Sequence, residues 1–168
     1  MSPRSPRLHY TRLTEDGLRP LLEIATDEHV RRYLLDGEVV DADWCAATLE
    51  ASDSLFDERQ VGLWMVAEHA GAEPFGFGGY FVFPEIGPEP QLLFALPESF
   101  SGRGYATEIG QALLELAWEL GWERVESAAD GPNAASLRAL EKLGFQKIEE
   151  MPGAFGAIHV LERLRPLH

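Results

Sequence analysis

A strand, a long amphipathic helix and a second strand follow one another between residues 91 and 128, and this unit constrains the fold more than any other feature of the chain. Gln91-Leu-Leu-Phe-Ala-Leu96 is short and apolar, as a buried strand is. From Gly104 the apolar period becomes helical: Ile109, Ala112, Leu113, Leu116, Ala117 and Leu120 share one stripe, while Gln111, Glu115 and Glu119 face away. Gly121 stops this helix as a left-handed cap, and Arg124-Val-Glu-Ser-Ala128 is the returning strand. Two strands joined through such a helix are expected to lie parallel with a right-handed crossover. Open sheets bind ligands beyond the carboxyl ends of such strands, which directs attention to Leu96 and Ala128.

The flanking segments complete a mixed α/β pattern. Leu8, Tyr10, Arg12 and Leu13 read as an opening strand; Leu18, Leu21, Leu22 and Ala25 have helical spacing. Asp27 can cap a short turn carrying Val30, Tyr33 and Leu34, and Asp41 or Asp43 can start a helix through Trp44, Ala47 and Leu55. Leu63 to Ala67 and Phe75 to Phe83 are strands joined by a short loop, with Gly76, Gly78 and Gly79 suggesting a bulge. A last helix runs from about Asn133 to Leu143, and Phe145 to Glu150 and Ala157 to Leu164 close the chain as strands.

With 168 residues and no break in composition, a single domain spanning residues 1–168 is expected, its first seven residues a flexible tail. No apolar run approaches the roughly 20 residues of a membrane helix. One cysteine, Cys45, excludes an internal disulfide framework, and the histidines have no partner at ligand spacing, so neither export nor a metal site is expected; cytoplasm is the default location. A net charge of -14 argues against nucleic acid. The acid is uneven: Glu15 to Glu58 holds thirteen acidic residues against Arg19, Arg31 and Arg32.

Chemistry concentrates in two places. Ser101-Gly-Arg-Gly-Tyr-Ala-Thr-Glu108 lies between a strand and a helix; its glycines permit a tight turn, and the unpaired N–H groups of the first helical turn form a donor array for a phosphate. Alone it is a weak signal, since such turns are usually plain connections, and it lacks the endings of a nucleotide P-loop or a dinucleotide fold. Asn133-Ala-Ala-Ser136 followed by Leu143-Gly-Phe145 is, by itself, an ordinary capped helix and its exit.

In this order the two segments resemble the acetyl-coenzyme A binding core of the GCN5-related N-acetyltransferases (GNAT), especially the branch that acetylates ribosomal-protein N-termini. The resemblance covers about residues 90–146. It implies a mostly antiparallel sheet of about seven strands, helices on both faces, and one parallel pair at the coenzyme cleft. It further implies acetyl-CoA as donor, with Gly102, Arg103, Gly104, Tyr105, Ala106 and Thr107 on the pyrophosphate. Phe94, Ala95 and Leu96 would pair with the pantetheine arm, Asn133 would bond it, and Ser136 would stand at the thioester sulfur as the catalytic acid.

Three departures from the family pattern bear on activity. Ser101 opens the pyrophosphate turn in place of Gln, Arg or an aromatic; Leu140 stands where many relatives have a tyrosine acid; Gln91 stands where many have a glutamate. The general base is thus unassigned, with Glu85, Glu89 and Asp130 as candidates and His159 as a structural or exposed residue. The expected partners are acetyl-CoA and a cationic primary amine, with a homodimer left open. The alternative is a domain that binds the coenzyme and senses or regulates without catalysis.

Overall fold

Strands β4 (Gln91–Ala95) and β5 (Arg124–Asp130) are joined through helix α4 (Tyr105–Glu119) and lie parallel. The computed structural model describes residues 1–167. Among these, β1 (His9–Arg12), β2 (Leu63–Ala67), β3 (Gly76–Phe81), β6 (Gln146–Gly153) and β7 (Gly156–Leu164) complete one seven-stranded sheet, ordered β1-β2-β3-β4-β5-β7-β6. Every neighbouring pair except β4 with β5 is antiparallel. Helices α1 (Leu18–Ala25), α2 (Glu28–Leu34) and α3 (Ala42–Arg59) follow β1, and α5 (Ala134–Lys142) follows β5.

The sheet is covered on both faces. Helices α4 and α5 pack Ile109, Leu113, Ala117 and Leu140 against Trp64, Tyr80, Leu92 and Val125. On the other face α1, α2 and the start of α3 bring Leu21, Ile24, Val30 and Cys45 onto Leu63, Met65, Phe77 and Ala95. Strand β2 is therefore buried at all five residues, which is why Leu63 to Ala67 is a continuous apolar run. Asp27 Oδ1 accepts from His29 N and Val30 N, and Asp41 Oδ1 accepts from Trp44 N, so Asp41 caps α3 and Asp43 does not.

Four details differ from the sequence expectations. Strand β3 keeps unbroken register with both neighbours, so its glycines mark no bulge. A Cβ at Gly78 would stand 2.8 Å from Ile109 Cγ2, and one at Gly76 2.7 Å from Ala95 O: the glycines let α4 and β4 approach closely. Strand β5 runs on to Asp130, two residues beyond Ala128. The parallel pairing does not reach Leu96 and Ala128 but stops at Leu92 and Ser127. Finally, the segment expected as a tail is docked. Pro3 is buried, Arg4 lies 3.8 Å from Glu119, and Arg7 grips Glu108 with both its backbone N–H (3.0 Å) and Nε (2.6 Å).

Candidate functional site: a cleft where two strands part

Strands β4 and β5 share register only at Gln91 with Glu126 and Leu92 with Ser127. The buried Ser127 Oγ donates to Leu92 O at 2.7 Å and closes this short ladder. Past that point Leu93 to Ala95 pair with β3 alone and Ala128 to Asp130 with β7 alone, so two strand edges face each other without partners. A cleft of about 250 Å³ opens there. It brings together Phe94 and Ala95 of β4 and Leu96 just after it, Gly102, Gly104, Tyr105, Ala106 and Thr107 from the turn into α4 and its first residues, and Ser136 of α5 with its cap Asn133. Of the residues expected there, Arg103 alone does not line it: its guanidinium stacks on Phe100, 4.9 Å from the ring centroid, and lies 3.8 Å from Glu68.

The turn into α4 is built for backbone contacts. Gly102 and Gly104 have φ of +75° and +77°, a region costly for residues with a Cβ. Gly104 caps α4 without a side-chain hydrogen bond, leaving the first N–H groups of the helix for a ligand. Stacking of Phe75 on Phe100 (4.4 Å) and its contact with Tyr105 (5.3 Å) fix the turn on the sheet. Ser101, the departure at its start, donates Oγ to Glu98 O at 2.6 Å and stabilises the preceding bend.

Arg7 closes the outer side of this turn. Besides Glu108 it reaches Arg103 O through Nη1 (3.0 Å) and covers the Tyr105 ring at 4.8 Å. Burial acts to raise the Glu108 carboxyl, but hydrogen bonds from Ser5 and Arg7 outweigh it and hold the group below its ordinary value.

On the facing helix, Asn133 Oδ1 accepts from Ser136 N at 3.3 Å and its Nδ2 donates to Ser136 Oγ at 2.9 Å. The Ser136 hydroxyl thus accepts one bond and keeps its own proton for another partner. Arg138 and Lys142, which sequence reasoning passed over, also line the cleft. Their one-turn spacing on α5 was readable, but nothing in it said that this face borders the cleft.

The cleft's other mouth is walled by α2, through His29, Val30, Tyr33 and Leu34. None of these is acidic, so the acid of the N-terminal segment stands back from the wall that the segment provides. The loop after α2 meets the β6–β7 turn: Arg32 lies 5.6 Å from the Phe155 ring centroid, and a Cβ at Gly37 would be 3.3 Å from Phe155 Cζ.

The remaining candidates separate cleanly. Gln91 is buried and fully engaged, accepting from Phe83 N and donating to Gly87 O and Glu89 O, so it staples the loop before β4. Leu140 is core that touches the cleft. Glu89 pairs with Arg59 at 2.8 Å, and Glu85 is exposed in the loop before β4, at the end of that strand remote from the cleft. Asp130 is the exception: it is 5% exposed, and its Oδ2 is buried without a hydrogen-bond partner. Cys45 is buried, which raises its thiol, and no group of three potential metal ligands occurs among the described residues. No helix among them is long and apolar enough to cross a membrane.

The family model described as an acetyltransferase (GNAT) domain matches residues 7–146. An uncharacterized N-acetyltransferase of Bacillus licheniformis is 21% identical over 142 residues, 84% of this chain and 80% of its own length. Among solved structures, an acetyltransferase from Agrobacterium tumefaciens superposes with a TM-score of 0.81 at 22% identity, covering 98% of this chain and 95% of its own. A ribosomal L7/L12 alpha-N-protein acetyltransferase in complex with coenzyme A gives 0.78 at 17% identity, covering 96% of each. The match over most of the chain, the parted parallel strands and the glycine turn agree, and the chain belongs to the GNAT acetyltransferases.

Proposed function

We propose that this cleft holds acetyl-CoA and a primary amine together, and that the acetyl group passes directly to the amine without an acyl-enzyme. As a GNAT acetyltransferase the chain is an acetyl-CoA-dependent N-acetyltransferase; the site residues and the acceptor are the parts proposed here. The observation that carries the reading is the parting of β4 and β5 directly before the open N-terminus of α4. A thioester arm can complete the unpaired edge of β4 at Phe94, Ala95 and Leu96. The pyrophosphate then meets the N–H groups from Gly102 to Thr107, where the helix dipole adds about 0.3–1 kcal/mol. Residues 90–146 form this donor core within one domain, and Arg138 and Lys142 supply positive charge beside it.

The chemistry follows from the geometry. A neutral amine attacks the thioester carbonyl, a backbone N–H at the end of β4 stabilises the oxyanion, and the thiolate leaves toward Ser136, whose free proton can meet it. The thiol's ordinary pKa near 8.5 makes that help moderate. A protein N-terminus, as in the ribosomal-protein enzyme, and small amines both fit the acceptor side. Thiol release from acetyl-CoA across a panel of amines tests the reading: turnover with at least one amine supports it. Tight coenzyme binding with no release from any amine would favour the sensing alternative.

A further inference from the structure

Asp130 has no structural use for its charge. It ends β5, a strand whose register with β7 is unbroken from Arg124 to Asp130, so side chains alternate strictly along it. Val125 faces the α4 and α5 cluster; Asp130 and Ala128 therefore face the opposite side, where α2 walls the acceptor mouth. Ala128 lines the cleft; Asp130 does not itself line it but follows two residues on, about 7 Å along the strand, behind that lining. The Asp130 carbonyl accepts from Asn133 N at 2.9 Å, which fixes the turn into α5 and hence where the carboxylate points. An acid 95% buried with an unpartnered oxygen is costly unless something binds it.

We propose that Asp130 receives the acceptor: its carboxylate binds the ammonium group of a protonated primary amine at the α2 mouth of the cleft and takes the proton that must leave before attack. The inference rests on the acetyl-transfer reading and names the residue that reading lacks. The steps balance. One ammonium proton passes to Asp130, and the freed nitrogen lone pair bonds to the thioester carbon. The C–S bond breaks, the thiolate takes the Ser136 proton, the second nitrogen proton restores the Ser136 hydroxyl, and Asp130 releases its proton to solvent.

The titratable groups on the neighbouring elements are Glu28, His29, Arg31, Arg32 and Tyr33 of α2, Asp36 after α2, and His159, Glu162 and Arg163 of β7. His159 pairs with Ala129, on the opposite face, and lies 3.7 Å from Glu150. Burial first, and then Asp36, lift the Asp130 carboxyl above its ordinary value, which suits a base that must take a proton from an ammonium group.

Two arms test this on the full chain. In the first, wild type and Asp130→Asn are compared in thiol release with a serine-initiated peptide, spermidine and n-butylamine, with coenzyme A affinity followed by calorimetry. The variant should lose about 100-fold or more in kcat/KM, together with the acidic limb of its pH profile, at unchanged coenzyme affinity. A loss below threefold with every accepted amine overturns the proposal. In the second arm, the Asp130 carboxyl carbon is followed by NMR in coenzyme-bound wild type as n-butylammonium is added. Its titration midpoint should move down as the cation binds. An unmoved midpoint overturns the proposal whether or not any amine turns over. Movement without turnover of any amine supports the ammonium site and refutes the transfer reading instead.

Discussion

The two mouths of the cleft are made of different material. The donor side consists of backbone: a strand edge without a partner, two glycines in left-handed conformation, and the first N–H groups of α4, drawn from a continuous stretch of chain. The mouth proposed for the acceptor consists of side chains brought from far apart, those of α2 and of the end of β5. A ligand common to a whole family is served by the first kind of surface, because backbone geometry survives substitution. A ligand particular to one member is served by the second.

The largest effect should come from putting a side chain into the backbone surface. Gly104→Glu forces a Cβ at φ +77° and places a carboxylate where a pyrophosphate is expected. We expect calorimetry to show coenzyme A binding weakened by about 100-fold or more, since strain and like charge add. Unchanged affinity would break the comparison at its donor half.

Ser136→Ala probes the seam between the halves. Turnover should fall roughly ten- to a hundred-fold, at the modest end of general acid catalysis, with coenzyme affinity little altered. If single-turnover rates stay at the wild-type value where chemistry is limiting, Ser136 serves only to cap α5 with Asn133.

Salt then separates long-range from local attraction on the acceptor side. Thirteen acids lie between Glu15 and Glu58, and none is among the α2 residues that wall the cleft. If they steer a cationic acceptor, kcat/KM should fall severalfold as the Debye length shrinks from about 10 Å at 0.1 M to about 3 Å at 1 M salt, more for spermidine than for a monoamine. A flat profile for both would leave binding to Asp130 and the wall.

The smallest expected effect concerns stability. Asp130 has a folded-state pKa raised above its unfolded value, so ionising it opposes folding, and this penalty grows as pH rises through the interval between the two values. Asp130→Asn should therefore melt higher than wild type at pH 7. The gain should vanish below about pH 4, where the unfolded carboxyl is also protonated. Equal melting at both pH values would mean that the carboxylate is better solvated than its burial indicates.

This division explains what could be read from the sequence. The strand-helix-strand unit, the caps at Asp27 and Asn133, and the glycine turn are local patterns, and each was legible. The length of the parallel ladder was not, because pairing is a property of two strands and nothing in Leu93 or Ala128 announces where they part. Gln91 looked like a missing base because its chemistry was visible and its three loop hydrogen bonds were not. Asp130 stood beside Glu85 and Glu89 as a candidate base, and its burial is what distinguishes it.

The clasp of Arg7 on Glu108 also bears on how the molecule is made. Its partners lie 101 residues apart, so at about 5–20 residues per second the arginine is added to the chain roughly 5–20 s before the glutamate. Strands β1 to β3 and the helices over them can assemble in that interval from short-range contacts, while residues 1–7 wait without a surface to dock on. Docking of that segment then reports completion: a nascent chain whose N-terminus has become resistant to protease is one in which α4 has formed and been laid onto the sheet.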